Sequence, residues 1–232
     1  MFINSQNTLS CIEINPGISA TKTVIWLHGL GADGSDFAPI VSELHLPDTP
    51  GIRFVFPHAP IMPVTLNNGY EMRAWFDIYD LSIDSKIDKT GISKSVQMLE
   101  ALIMQEEAKG ITSDNIILAG FSQGAVIALT TGLGYPKPLA GMMALSGYLP
   151  LADEVLKNAS GINRETPIFI AHGTEDPIVP YALGKATYDT LKEAGYHAAW
   201  HSYAMPHAVC AEEVRDISLW LQSIKNKGNT AG

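Results

Sequence analysis

Gly120-Phe121-Ser122-Gln123-Gly124 sets a serine between two glycines, where one kind of apolar run gives way to another. Upstream, Asn115-Ile116-Ile117-Leu118-Ala119 is short and β-branched, the pattern of a buried strand. Downstream, Ala125-Val126-Ile127-Ala128-Leu129 runs on without proline and reads as the start of a buried helix. At such a junction Gly-x-Ser-x-Gly forms a strained turn that projects the hydroxyl from the sheet as a nucleophile. Side chains at 120 and 124 would collide with the neighbouring strand and helix. The five-residue pattern also occurs in ordinary loops, and the flanking strand and helix are what make it a nucleophile motif.

A serine hydroxyl needs a base and the base needs an orienting acid. Of the seven histidines, His207 directly follows the last strand candidate, in Ala204-Met205-Pro206-His207-Ala208. Asp176, in His172-Gly173-Thr174-Glu175-Asp176-Pro177, follows the strand Pro167–Ala171. Ser122, Asp176 and His207 thus occur in the order used by α/β-hydrolases, unlike that of the two major serine-protease folds. Glu175 and Asp153 are weaker choices of acid. His28 and His172 precede glycines at strand ends and suit loop orientation, His58 lies N-terminal to the serine, and His197 and His201 fall within the last strand. Ser146 ends a strand but lacks the glycine-flanked, helix-opening context of a nucleophile.

The expected chemistry is acyl transfer. His207 takes the Ser122 proton as the hydroxyl attacks a carbonyl and returns it to the leaving group; Asp176 fixes the imidazole tautomer. Water then repeats the cycle, with no metal or organic cofactor required. The oxyanion needs backbone donors. His28-Gly29-Leu30-Gly31-Ala32-Asp33-Gly34 follows a buried strand and lacks the Gly-Lys-Ser/Thr ending of a phosphate loop. The N–H groups of Leu30 and of Gln123 are the donors this architecture selects.

These residues need a frame that gathers strand ends. Strand candidates at 9–14, 23–27, 52–56, 115–119, 139–145, 167–171 and 197–203 alternate with helical patterns at 35–44, 88–108, 125 onward, 181–194 and 209–223. Alternation of this kind predicts a mostly parallel sheet with helices on both faces, and function at the carboxyl ends of its strands. Residues 57–91 read as one long irregular loop. Its aromatic and aliphatic residues, Trp75 and Phe76 among them, suit either a wall over an apolar group or completion of the core. The tail 225–232 reads as frayed.

A chain of 232 residues, 46% hydrophobic and 17% charged, suits one domain with a sizeable core. A net charge of −9 argues against nucleic acid as partner and gives no attraction to anionic lipid. No apolar run reaches spanning length, and residues 1–6 lack the make-up of a signal peptide. Cys11 and Cys210 match no metal or redox spacing and read as reduced, half-buried thiols. The expected setting is the cytoplasm.

Taken together, Leu27-His28-Gly29-Leu30-Gly31-Ala32-Asp33-Gly34, Pro57-His58-Ala59-Pro60, Trp75-Phe76-Asp77, the Ser122 motif, His172 to Val179 and His207 resemble the carboxylesterase/phospholipase family, which includes acyl-protein thioesterases and lysophospholipases. The resemblance covers about residues 9–224. It implies an α/β-hydrolase fold without a large cap domain, the triad Ser122, Asp176 and His207, and oxyanion donors at Leu30 and Gln123. It also implies an acyl channel at the loop around 62–81, with Met62, Trp75, Phe76, Ile78 and Val179 touching substrate. Asn67-Asn68-Gly69-Tyr70-Glu71-Met72-Arg73-Ala74-Trp75 looks like the bacterial carboxylesterase branch. The function so implied is hydrolysis of carboxylic esters or thioesters with short-to-medium acyl chains. Action on long-chain lysophospholipid or acylated protein is the alternative, and a non-catalytic ligand-binding hydrolase fold a more distant one. Membrane contact is expected to be at most transient, and the chain to be a monomer or homodimer.

Overall fold

In the computed structural model, residues 9–47, 51–79 and 86–224 are described. The expected frayed tail, residues 1–6 and part of the 57–91 segment lie outside them. Seven strands form the main sheet: β1 (Cys11–Ile14), β2 (Lys22–Leu27), β3 (Ile52–Pro57), β6 (Ile116–Phe121), β7 (Gly141–Leu145), β8 (Ile168–Gly173) and β9 (Ala198–Tyr203). Their order is β1-β3-β2-β6-β7-β8-β9. β1 runs antiparallel to β3 and every other neighbouring pair is parallel. The serine strand β6 is therefore central, with strands buried on both faces, which explains its unbroken apolar run.

Strand alternation divides the core into two sides. Val24 and Trp26 of β2 and Ile117 and Ala119 of β6 point to one face, where Val214, Ile217 and Leu221 of helix α6 (Ala211–Ser223) cover them. Ile25, Leu27, Ile116 and Leu118 point to the other, against α2 (Lys89–Ala108) and α3 (Gln123–Gly134). Helix α5 (Tyr181–Glu193) packs beside β8 and β9 through Leu191. At the sheet end opposite the serine, Glu106 of α2 accepts hydrogen bonds from Thr23 Oγ1 (2.8 Å) and Arg53 Nε (3.1 Å). This ties the far end of α2 to β2 and β3.

Three elements depart from the sequence reading. The helix expected over 35–44 is only α1 (Ile40–Glu43), preceded by turns. Pro39 disfavours helical backbone at Ala38, and Asp33 Oδ1 holds the Ser35 N–H (2.7 Å) and hydroxyl (2.6 Å) in a local turn. The segment 57–91 is not irregular throughout: β4 (Ile61–Val64) and β5 (Tyr70–Arg73) form an antiparallel hairpin. Pro63 is tolerated because the ribbon has only two strands, each with a free edge. Finally, α4 (Ala152–Asn158) has no counterpart in the reading. Its apolar stripe is only Ala152, Val155 and Leu156, partly buried against the core and too short to read as a helix.

Candidate active site

Ser122 sits between β6 and α3 with φ 54° and ψ −118°, a backbone an L-residue adopts at a cost. Its N–H donates to Leu145 O (2.8 Å). A Cβ at position 120 would stand 2.2 Å from Gly124 O, and one at 124 would stand 2.5 Å from Leu27 O. The turn closes only with glycine at both places.

The other two candidate residues come from neighbouring strand ends. Asp176 follows β8 and His207 follows β9, and the two loops are bound along their backbones: Thr174 N–H donates to Tyr203 O (2.8 Å) and Glu175 N–H to Met205 O (3.2 Å). A Cβ at Gly173 would meet Met205 O at 2.3 Å, so the close approach depends on glycine. His207 Nδ1 lies 2.7 Å from Asp176 Oδ2, and the Asp176 side chain is fully buried. Asp176 Oδ1 accepts the N–H groups of Ile178 and Val179, both at 2.9 Å. With Oδ1 bound by two backbone N–H groups and Oδ2 set against Nδ1, Asp176 holds the His207 proton on Nδ1 and leaves Nε2 free as a base. The Phe121 ring packs 4.7 Å from the His207 ring, which seats the imidazole beside the serine turn.

His172 supports the acid from below. Its Nε2 lies 2.9 Å from Val179 O and 3.3 Å from Asp176 Oδ2. Burial pushes its pKa below the usual histidine value, so the neutral ring donates from Nε2 and does not compete for charge. His28 does the same for the glycine loop: its Nε2 accepts the Ala59 N–H (3.0 Å) and burial keeps it neutral.

The loop 28–34 lies against the serine, since a Cβ on Gly29 would stand 3.4 Å from Ser122 Cβ. Among the described residues, neither the Leu30 nor the Gln123 backbone N–H donates to a protein acceptor. Both residues line, with Ser122, a cavity of about 270 Å³. Its walls include Leu66, Phe76, Ile78, Tyr148, Val179 and Leu183. Of the residues expected at substrate, Phe76, Ile78 and Val179 thus face the cavity. Met62 and Trp75 do not: Met62 pairs with Met72 in the hairpin, and Trp75 is 2% exposed within the core.

Trp75 has a different set of contacts. Its Nε1–H donates to His28 O (2.9 Å), and its backbone N–H donates to Gln123 Oε1 (2.8 Å). Gln123 Nε2 in turn donates to Phe76 O (2.7 Å). One tryptophan therefore joins the glycine loop to the residue after the serine. No local signal marks this role, because a buried tryptophan in a loop looks the same whether it packs or braces.

Cys11 and Cys210 are unpaired and half-buried, and burial pushes the Cys11 thiol up to about 11. Among the described residues no helix is long and apolar enough to cross a membrane, and no group of three or more His, Cys, Asp or Glu is arranged to hold a metal ion.

Known proteins resemble the chain over this same span. The profile of the phospholipase/carboxylesterase family matches residues 10–225. Acyl-protein thioesterase 1 of Schizosaccharomyces pombe is 44% identical over 179 residues, 77% of this chain and 79% of that protein. Carboxylesterase SOBER1 of Arabidopsis thaliana is 35% identical over 88% of this chain and 90% of its own length. Its crystal structure superposes with a TM-score of 0.82, covering 87% of this chain and 97% of that one.

Proposed function

Because the chain belongs to the phospholipase/carboxylesterase family and is a serine hydrolase of esters or thioesters, we propose that Ser122, His207 and Asp176 are its catalytic triad. Ser122 attacks the acyl carbonyl, His207 Nε2 receives its proton and passes it to the departing alcohol or thiol, and Asp176 stabilises the imidazolium. The N–H groups of Leu30 and Gln123 receive the oxyanion, and the acyl group enters the cavity beside Phe76, Ile78 and Val179. Water then resolves the acyl-enzyme. The observation that carries this reading is the 2.7 Å contact of His207 Nδ1 with a fully buried Asp176 carboxylate, on loops flanking a strained serine that opens into an apolar cavity.

The substrate proposed is a small acyl ester or thioester with a short-to-medium chain, and the 232 residues act as one domain. Two unpaired cysteines suit a reducing compartment, so the cytoplasm is the proposed setting. The test is hydrolysis of p-nitrophenyl esters and matching thioesters by the wild type and by Ser122→Ala. Turnover by the wild type and its loss in the variant support the reading; equal rates overturn it.

A further inference from the structure

Leu30, one of the two proposed oxyanion donors, lies between two anchored residues. On one side, His28 Nε2 accepts the Ala59 N–H (3.0 Å), and His28 O accepts the Trp75 indole N–H (2.9 Å). On the other, Gly31 donates its N–H to Arg73 O (2.9 Å). Gly31 has φ 77°, a backbone that suits glycine.

Arg73 connects the two anchors. It ends β5, and its Nη1 donates to Ala59 O (2.8 Å). Ala59 is fully buried, so its carbonyl has to find its donor within the protein. The bonds close a ring. It runs from His28 to Ala59, from Ala59 to Arg73, from Arg73 to Gly31, and back along the chain through Leu30 and Gly29. Within this ring, and among the described residues, Leu30 keeps its own N–H unspent.

The arginine is suited to fastening and to little else at this place. Among the described residues it forms no ion pair with a carboxylate, and its side-chain hydrogen bond goes to the Ala59 carbonyl. A charged donor makes the stronger kind of hydrogen bond. Arg73 does not line the cavity beside Ser122, so it reaches substrate only through the loop. The hairpin has other ties: β4 pairs with β5, and Ala74 N–H donates to Pro60 O (3.0 Å). Loss of the guanidinium therefore frees the Ala59 carbonyl and leaves the ribbon paired.

We infer that Arg73 is a positioning residue for the oxyanion site, which by joining Ala59 to Gly31 fixes the loop that presents the Leu30 N–H. This rests on the serine hydrolase reading above and deepens it. The oxyanion exists only once Ser122 has attacked the carbonyl. A donor held slightly out of place therefore weakens the transition state more than the bound ester. The effect falls on kcat and spares KM.

The test uses p-nitrophenyl butyrate and a trifluoromethyl ketone inhibitor. The ketone carbon takes the Ser122 oxygen, the serine proton passes to His207, and the carbonyl oxygen becomes an oxyanion. For Arg73→Met, kcat is expected to fall about tenfold or more, with KM changed less than about twofold and the inhibitor Ki raised by a factor close to the loss in kcat. Arg73→Lys keeps one charged donor and recovers part of both effects. Arg73→Gln, two bonds shorter than arginine, behaves as Arg73→Met and gives the same reading should the methionine variant fail to fold. Wild-type kcat and Ki in Arg73→Met and Arg73→Gln overturn the inference. So does a loss of kcat with inhibitor affinity unchanged, or a loss expressed in KM alone. Ser122→Ala, run alongside, separates this from the catalytic reading: if it keeps wild-type activity, the triad reading falls and this inference with it.

Discussion

Gln123 Oε1 accepts the Trp75 backbone N–H at 2.8 Å, which joins the residue after the candidate nucleophile to a tryptophan 48 positions earlier. The Trp75 indole N–H then reaches His28 O (2.9 Å), in the loop that carries Leu30. The two proposed oxyanion donors, which follow different strands, thus share one brace. Small displacements of such donors are costly, since misplacement by about 1 Å can cost 10²-fold in rate. Trp75→Phe keeps the ring in the core but removes the indole N–H. We expect kcat for a short ester to fall about 10–100-fold with KM changed less than about twofold. A change in KM alone would show that Trp75 acts by shaping the cavity.

Asp176 presents no free lone pair to solvent, being held by His207, Ile178 and Val179. Asp176→Asn keeps the size but sets an amide where the Nδ1 proton needs an acceptor, favouring the wrong tautomer. The expected loss in kcat is about 10³–10⁴-fold, with thermal stability little altered. Steady-state kinetics beside a melting curve separate this from simple misfolding.

Glu213 of α6 is fully buried. Burial pushes its pKa up to about 8, aided by the nearby Asp216 charge. Between the ordinary carboxylate value and about pH 8, the folded chain therefore holds a proton that the unfolded chain releases. Unfolding free energy should fall as pH rises through that window and level off above it. Urea titrations at pH 5.0, 6.5 and 8.0 measure the slope, and Glu213→Gln should flatten it. An equal slope in the variant would assign the effect to other groups.

At the opposite end of the sheet, Arg53 and Glu106 have side chains 10% and 3% exposed. Glu106→Ala removes the acceptor of the Thr23 hydroxyl and one of the Arg53 guanidinium's acceptors. The expected cost is about 2–3 kcal/mol by denaturant unfolding, below the 3–5 typical of a broken buried pair because Arg53 keeps Glu13 at 2.7 Å. Activity per folded molecule should not change, since no site residue touches this cluster.

The seven sheet strands and the order Ser122, Asp176, His207 were legible because each rests on a local signal: a buried run, then a turn that a side chain cannot enter. What stayed hidden was set by tertiary contact. Helix α4 has only seven residues, and its stripe of Ala152, Val155 and Leu156 is too short to establish a period. The β4–β5 ribbon is built from four-residue strands, one of them holding Pro63, and its pairing competes with the loop signals around Asn67-Asn68-Gly69. The helix expected from Ser35 is cut short by Pro39 and by the Asp33–Ser35 turn. Trp75 was legible as a large apolar residue, but its two hydrogen bonds depend on segments 28 and 123, distant in sequence.

The central claim is that Ser122 is the nucleophile, and the most direct measurement is covalent capture. The protein is treated with a fluorophosphonate, which phosphonylates an activated serine with loss of fluoride, and the adduct is located by peptide mass spectrometry. The account predicts one adduct, on Ser122, absent from Ser122→Ala and formed much more slowly in His207→Ala. An adduct on another serine, such as Ser146, or labelling of Ser122 at the same rate without His207, would contradict it.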